Sequence, residues 1–227
     1  KILLSCVMLF AAMLSQAAVG DDLTSKYLKN ADFSAGTVMD NGICTYDYDM
    51  EKNSTVYFGQ QAVEGWIAPT LSDNTLIDGR TDQLNARAAG LFGLSDPLAE
   101  FNPFLGGAGY LAPEFTSTGD AAGQVLGLIA AGGSQLQYTQ EVTLPAGAYT
   151  ITIPTYNAGG TGEISANLFG FIASDGTRYV ASQKSWGTIG EWEDQVVTFM
   201  LNEETSGVIS LGYTGPAGSG SMPHLFI

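Results

Sequence analysis

Three tryptophans, Trp66, Trp186 and Trp192, are the residues of this chain best suited to hold a ligand. An exposed indole offers broad apolar area with a polar rim, the kind of surface on which a sugar ring stacks. The competing role for each is to pack a core. Trp66, inside Gly65-Trp66-Ile67, reads as core. Trp192 opens a strand-like run and reads first as core, second as a ligand platform. Trp186 sits among polar neighbours in Gln183-Lys-Ser-Trp-Gly-Thr188, reads as a loop residue, and is the strongest stacking candidate. Tyr156-Asn157, followed by Ala158-Gly159-Gly160, puts an amide beside an aromatic ring. That pairing suits hydroxyl-rich ligands; a turn-forming asparagine is its ordinary alternative.

Other chemistries are poorly supplied. His224 is the only histidine and stands beside apolar neighbours near the chain end, so a structural role is expected. With one histidine and two cysteines, a His-rich metal centre is excluded and a Ser-His-Asp triad is not expected. Glycoside hydrolysis needs only two carboxylates. Glu163, Glu191 and Glu193 are available, but Glu191 and Glu193 flank Trp192 at a strand start and are expected to face solvent. The densest acidic loop, Asp73 to Asp82, has Thr75 and Ile77 where an EF-hand repeats its oxygen ligands. No P-loop or dinucleotide fingerprint is present. The expectation is a protein that is not an enzyme.

Charge narrows the partners. The formal net charge is −15. A surface this acidic argues against nucleic acid and against anionic membranes. Residues 1–20 read as a signal peptide: Lys1, an apolar run too short for a comfortable span, then Ser15-Gln-Ala-Ala-Val-Gly20 before Asp21-Asp22. A lipoprotein signal at Leu3-Leu4-Ser5-Cys6 fits less well, because the strongly apolar residues follow Cys6. The mature chain is therefore expected to be exported (periplasmic, cell-surface or secreted) and not inserted in a membrane. Beyond Gly20 only Cys44 remains, so no intrachain disulfide is expected. Residues 21–227 suffice for one domain with a sizeable core. With 29 glycines and only 14% charged residues, many short strands and tight turns are expected, as in an all-β sandwich or barrel.

The elements that must position these residues are strands. The clearest stretch is Gln135 to Asn157. Leu136, Tyr138, Gln140, Val142 and Leu144 fall on one face of a first arm, and Tyr149, Ile151, Ile153 and Thr155 on one face of a second. Period-two alternation marks half-buried strands, and Pro145-Ala146-Gly147 marks a turn, so the spacing predicts a hairpin. Pro154 predicts a sheet edge near the end of the second arm. Further strands are expected over 23–33, 44–50, 55–58, 65–67, 163–173, 178–181, 192–201 and 207–213. The almost continuous apolar run from Gln124 to Ala131 predicts a central strand buried on both faces. Leu84, Ala88 and Leu91 share a helical face, which predicts a short helix over 82–92. The weakly patterned stretch 68–122 otherwise reads as binding loops.

At this point the chain resembles a known family. Gln135–Asn157 with the Ala-Gly-Gly after it, Asn30-Ala-Asp32-Phe33, Gly65-Trp66, Gly190-Glu191-Trp192 and Ser221-Met-Pro-His-Leu-Phe-Ile227 are similar to motifs of the galactose-binding-like β-sandwich modules of exported proteins from Bacteroides-type bacteria. The resemblance covers most of 21–227 apart from the loops at 68–122. It implies an antiparallel jelly-roll of about eight or more strands in two sheets. It also implies non-catalytic binding of a glycan or polysaccharide, with Trp186, Tyr156, Asn157 and Trp192 as the contacts that the residues themselves single out. Modules of this kind often hold a structural calcium between the first and last strands, which would fall to Asn30 and Asp32 here. The run into the last strand breaks off at Ile227, so the expectation is a domain cut short, with further residues or domains to follow. The competing expectation is a structural or adhesive sandwich making protein contacts at the cell surface.

Overall fold

The structure, a computed structural model, describes residues 20–38, 45–49, 54–60, 62–67, 85–95, 112–130, 135–159, 168–182, 188–214 and 224–227. Eleven strands and one short helix are placed: α1 (Thr24–Tyr27), β1 (Thr45–Asp49), β2 (Ser54–Gln60), β3 (Asn85–Gly93), β4 (Gln124–Ala130), β5 (Gln135–Leu144), β6 (Gly147–Gly159), β7 (Gly170–Ala173), β8 (Arg178–Val180), β9 (Trp192–Leu201), β10 (Thr205–Thr214) and β11 (His224–Phe226). One sheet has the order β1-β2-β3-β4-β11-β6-β9 and the other β5-β10-β7-β8. All pairs are antiparallel except β2 with β3, which is parallel. From β4 onward the chain crosses between sheets at nearly every connection, giving β4-β11-β6-β9 facing β5-β10-β7-β8. That is the strand order of an eight-stranded jelly roll, so the fold is an all-β sandwich of the expected class, with β1 to β3 lengthening one sheet. No helix among the described residues is long and apolar enough to cross a membrane.

The predicted hairpin is not a hairpin. Both arms are strands, and their alternating faces are buried as expected. However, β5 pairs with β10, whereas β6 pairs with β9 and β11. The two arms lie in different sheets and press their apolar faces toward each other across the core. An amphipathic strand is satisfied by any partner that covers its apolar face, and alternation does not say whether that partner lies beside it or opposite it. The Tyr149 hydroxyl donates to the Pro145 carbonyl at 2.8 Å and braces the connecting arch. The expected sheet edge near Pro154 is not found, because β6 lies between β11 and β9; Pro154 is accommodated where β6 pairs with β9 alone, short of the β11 pairing that begins at Tyr156.

Three other segments differ from expectation. Residues 23–33 form α1 and turns in place of a strand: the Asp22 carboxylate accepts the Thr24 amide at 2.9 Å, and positive φ at Asn30 (49°) and Phe33 (56°) breaks any extended run. Residues 63–67 make a tight turn closed by the Trp66 amide on the Val63 carbonyl, and only Ile67 reaches a strand, exchanging two bonds with Thr139. Residues 85–93 are strand β3, not helix. The spacing of Leu84, Ala88 and Leu91 fits a helix, but nine residues paired between β2 and β4 gain a full ladder of backbone bonds, and tertiary pairing overrides so weak a local signal. The short strands expected near 44–50 and 55–58 are present as β1 and β2. Of the strand expected over 163–173, the part 163–167 lies outside the described residues.

The core between the sheets is built from Leu126, Leu128, Ile153, Val197, Phe199, Leu201 and Leu225 on one side. Leu136, Tyr138, Val142, Leu144, Phe171, Ile209, Leu211 and Tyr213 face them from the other. The Tyr213 hydroxyl crosses the core to the Leu128 carbonyl at 3.2 Å. β5 is the edge of its sheet; Ile67 pairs that edge at Thr139, and a buried side chain on the inner face holds the Lys29 backbone. Gln140 Oε1 accepts the Lys29 amide at 2.6 Å, and its Nε2 donates to the Lys29 carbonyl at 3.0 Å.

Candidate functional site

β4 is buried on both faces, as its apolar run predicts. Its inner residues Leu126 and Leu128 join the main core; Val125 and Gly127 face the other way. The register carries that outer face across four strands. Gly127 lies opposite Phe226, Phe226 opposite Tyr156, and Tyr156 opposite Trp192. The result is an aromatic row running from the centre of the sheet to its last strand, β9. Phe92 meets Phe226 edge-on at 5.5 Å, Tyr156 meets Phe226 at 6.5 Å, and Tyr156 and Trp192 are tilted at 54° with centroids 5.5 Å apart. Exposure grows along the row: Phe92 and Phe226 are fully buried, whereas Tyr156 and Trp192 are half-buried.

Residues 112–123 lie against the exposed end. The Trp192 indole N–H donates to the Phe115 carbonyl at 3.0 Å. Phe115 is 49% exposed and Ile189 59% exposed. Ile189 bridges to Asn157 beside the row. Neither Phe115 nor Ile189 is marked by any periodic pattern; their only sequence signal is an apolar residue amid loop residues. Burial, and secondarily the Glu114 carboxylate, push the Tyr156 phenol above its ordinary range. Both causes disfavour a phenolate. Replacing Glu114 with glutamine should therefore lower the Tyr156 pKa while leaving it above ordinary, because burial persists. An ultraviolet titration, with Tyr156→Phe subtracted to isolate this phenol, checks the direction.

Tyr156 and Trp192 are thus brought together. Asn157 lies next to them in β6 instead of in a loop, but its side-chain oxygen accepts the Gly159 amide at 3.0 Å and its carbonyl accepts the Gly190 amide at 2.8 Å. Those bonds give Asn157 the turn-forming role. Trp186 lies outside the described residues, as do Glu163 and the 73–82 acidic loop. Trp66 is core, packed on Phe33 with its indole N–H on the Asn30 carbonyl at 3.0 Å. His224 is buried in β11 between β4 and β6, in keeping with a structural role. Glu191 is exposed, and Glu193 accepts the Thr188 amide at 2.9 Å.

Asn30 and Asp32 organise their own loop. Asn30 Oδ1 accepts the Ala35 amide at 2.8 Å, and its Nδ2 donates to the Ala35 and Glu64 carbonyls. Asp32 Oδ1 accepts both the amide and the hydroxyl of Ser34, and these bonds hold its carboxyl below the usual range. Calcium bound by Asn30 Oδ1 or Asp32 Oδ1 would compete with the bonds to Ala35 and Ser34, whereas Asp32 Oδ2 takes part in none of them. Among the described residues no group of three or more His, Cys, Asp or Glu is placed to hold a metal ion. In comparisons with known proteins, no family model matches the chain and no curated protein matches it.

Proposed function

We propose that this chain is an exported, non-catalytic carbohydrate-binding module of the galactose-binding-like kind, with its glycan seated at the solvent end of the aromatic row. The observation that carries the reading is the register that sets Tyr156 beside Trp192 on the outer face of the last strand, over a fully buried Phe226. Aromatic rings held rigidly from below present an apolar face to the C–H face of a sugar at little entropic cost. The Tyr156 hydroxyl, kept protonated, is available as a hydrogen-bond donor to a sugar oxygen. The acidic chain favours uncharged glycans over polyanions. The signal-like residues 1–20 support export.

A microarray of neutral plant and host glycans, followed by calorimetry on the hits, tests the reading. Trp192→Ala and Tyr156→Ala are each expected to weaken binding by about tenfold, roughly 1.4 kcal/mol, and Trp186→Ala enters the same assay as the remaining aromatic contact. Silence across the array from a folded sample would refute the proposal. A second reading, an adhesive sandwich that makes protein contacts at the cell surface, draws on Val196 and Met200. They are 56% and 65% exposed on the same outer face of β9. That reading predicts no glycan binding, and retention on whole cells that Val196→Lys with Met200→Lys abolishes.

A further inference from the structure

We infer that Phe115 is a further stacking ring beside Tyr156 and Trp192, and that Trp192 also positions it; this rests on the carbohydrate-binding reading above. Trp192 is only partly available to a ligand. Its ring leans on Tyr156, and its single donor is engaged by the Phe115 carbonyl. Phe115 has the opposite character: its side chain is about half exposed while the backbone around it is fastened. The Ser95 amide donates to the Pro113 carbonyl at 3.0 Å on one side. On the other, the Thr116 amide donates to the Asp120 carbonyl, the Gly119 amide to the Thr116 carbonyl, and the Asp120 amide to the Thr116 hydroxyl. Ala112 and Pro113 are buried, which anchors the segment further.

A lone exposed phenylalanine on a loose loop needs no explanation. This one is fixed at three successive points and stands next to Trp192, with the exposed Glu114 carboxylate adjoining it in the chain. A ring carried on a fastened backbone loses less freedom on binding than one on a loose loop, so contact with it is converted into affinity more efficiently. The neighbouring carboxylate supplies acceptors for sugar hydroxyls. The indole N–H of Trp192 sets the height of the platform above the sheet, which explains why a tryptophan donor is held here at a strand start.

The test is native affinity electrophoresis through gels containing mixed-linkage β-glucan, xyloglucan or galactomannan. Phe115→Ala should weaken retardation by about tenfold or more, while Phe115→Tyr, which keeps the ring, should stay within about threefold of wild type. Trp192→Phe keeps a ring but deletes the N–H, and should fall between the two. Thermal melts of all three variants identify any that fail to fold. If the wild type is retarded and Phe115→Ala is retarded equally, the role of Phe115 is overturned and the carbohydrate reading stands. If Trp192→Phe matches the wild type, the positioning role is overturned. If the folded wild type passes all three gels unretarded, the carbohydrate reading fails and this inference fails with it.

Discussion

Phe199→Ala is expected to lower the unfolding free energy by about 3–5 kcal/mol, the range for truncating a buried phenylalanine. Phe199 stacks on three rings: Tyr179 at 4.7 Å, Phe171 at 5.5 Å and Tyr149 at 5.5 Å, all within 23° of parallel. Two of these partners belong to the four-stranded sheet (Phe171 on β7, Tyr179 on β8) and one to the neighbouring strand β6. The stack therefore joins the sheets where β9 and β8, each the last strand of its own sheet, come side by side. The cavity left by alanine would be lined by flat rings stacked on one another, which cannot collapse into it without losing their own contacts. Urea denaturation measures the loss, and an unchanged slope would show that the denatured state is the same. Phe199→Leu should recover part of it. A loss near the bottom of that range, about 3 kcal/mol, would show that the stack contributes little beyond ordinary burial, and one below about 1 kcal/mol would overturn the prediction.

Gly127→Val is expected to cost about 1–3 kcal/mol by overpacking and to disturb the candidate site at the same time. A Cβ at Gly127 would collide with the ring carbons of Phe92 and come within 2.9 Å of Phe226. The glycine leaves the space in which those two rings meet edge-on, and Phe226 in turn supports Tyr156. Displacing Phe226 should therefore change the near-ultraviolet dichroism of the aromatic row and weaken glycan binding, although Gly127 is remote from the proposed contact. Phe92→Leu in the same chain removes the closer of the two rings and makes room for the valine. The two changes should be strongly non-additive, since each removes the obstacle to the other. Additive losses would mean that the close approach is not what excludes a side chain at 127.

The clearest inferences from residue order alone concern strand character. The faces of Gln135–Leu144 and Gly147–Gly159, the doubly buried run of β4 and the extent of β9 follow from alternation and turn chemistry. Those are properties of a few neighbouring residues. The errors fall where a local signal was weak or ambiguous. Residues 85–93 carry apolar spacing compatible with either a helix or a strand, and pairing with β2 and β4 settles them as strand. Residues 23–33 contain apolar residues without alternation, and an Asx contact with two left-handed residues bends them. The chain end supplies β11, which lies between β4 and β6.

The aromatic residues of the candidate site were partly visible in advance. Tyr156 and Trp192 are conspicuous as residue types, but nothing local says that they touch, because 36 positions separate them and their contact is a consequence of register. Phe115 gave no advance signal, since an isolated phenylalanine in a loop reads the same whether its ring is buried or exposed. Trp186, the strongest stacking candidate by its polar neighbours, lies outside the described residues.

Residue order alone is enough for the all-β class, the acidic balance, the absence of a second histidine and the inward faces of β5 and β6, because each depends on composition or on spacing within one strand. The partners of each strand were not written there. An amphipathic strand demands only that its apolar face be covered, and many pairings meet that demand. Folding selects among them by the joint packing of two whole sheets, and that selection turned an expected hairpin into an arch between sheets. It also aligned residues 127, 226, 156 and 192 into one row and brought the Phe115 carbonyl onto the Trp192 indole.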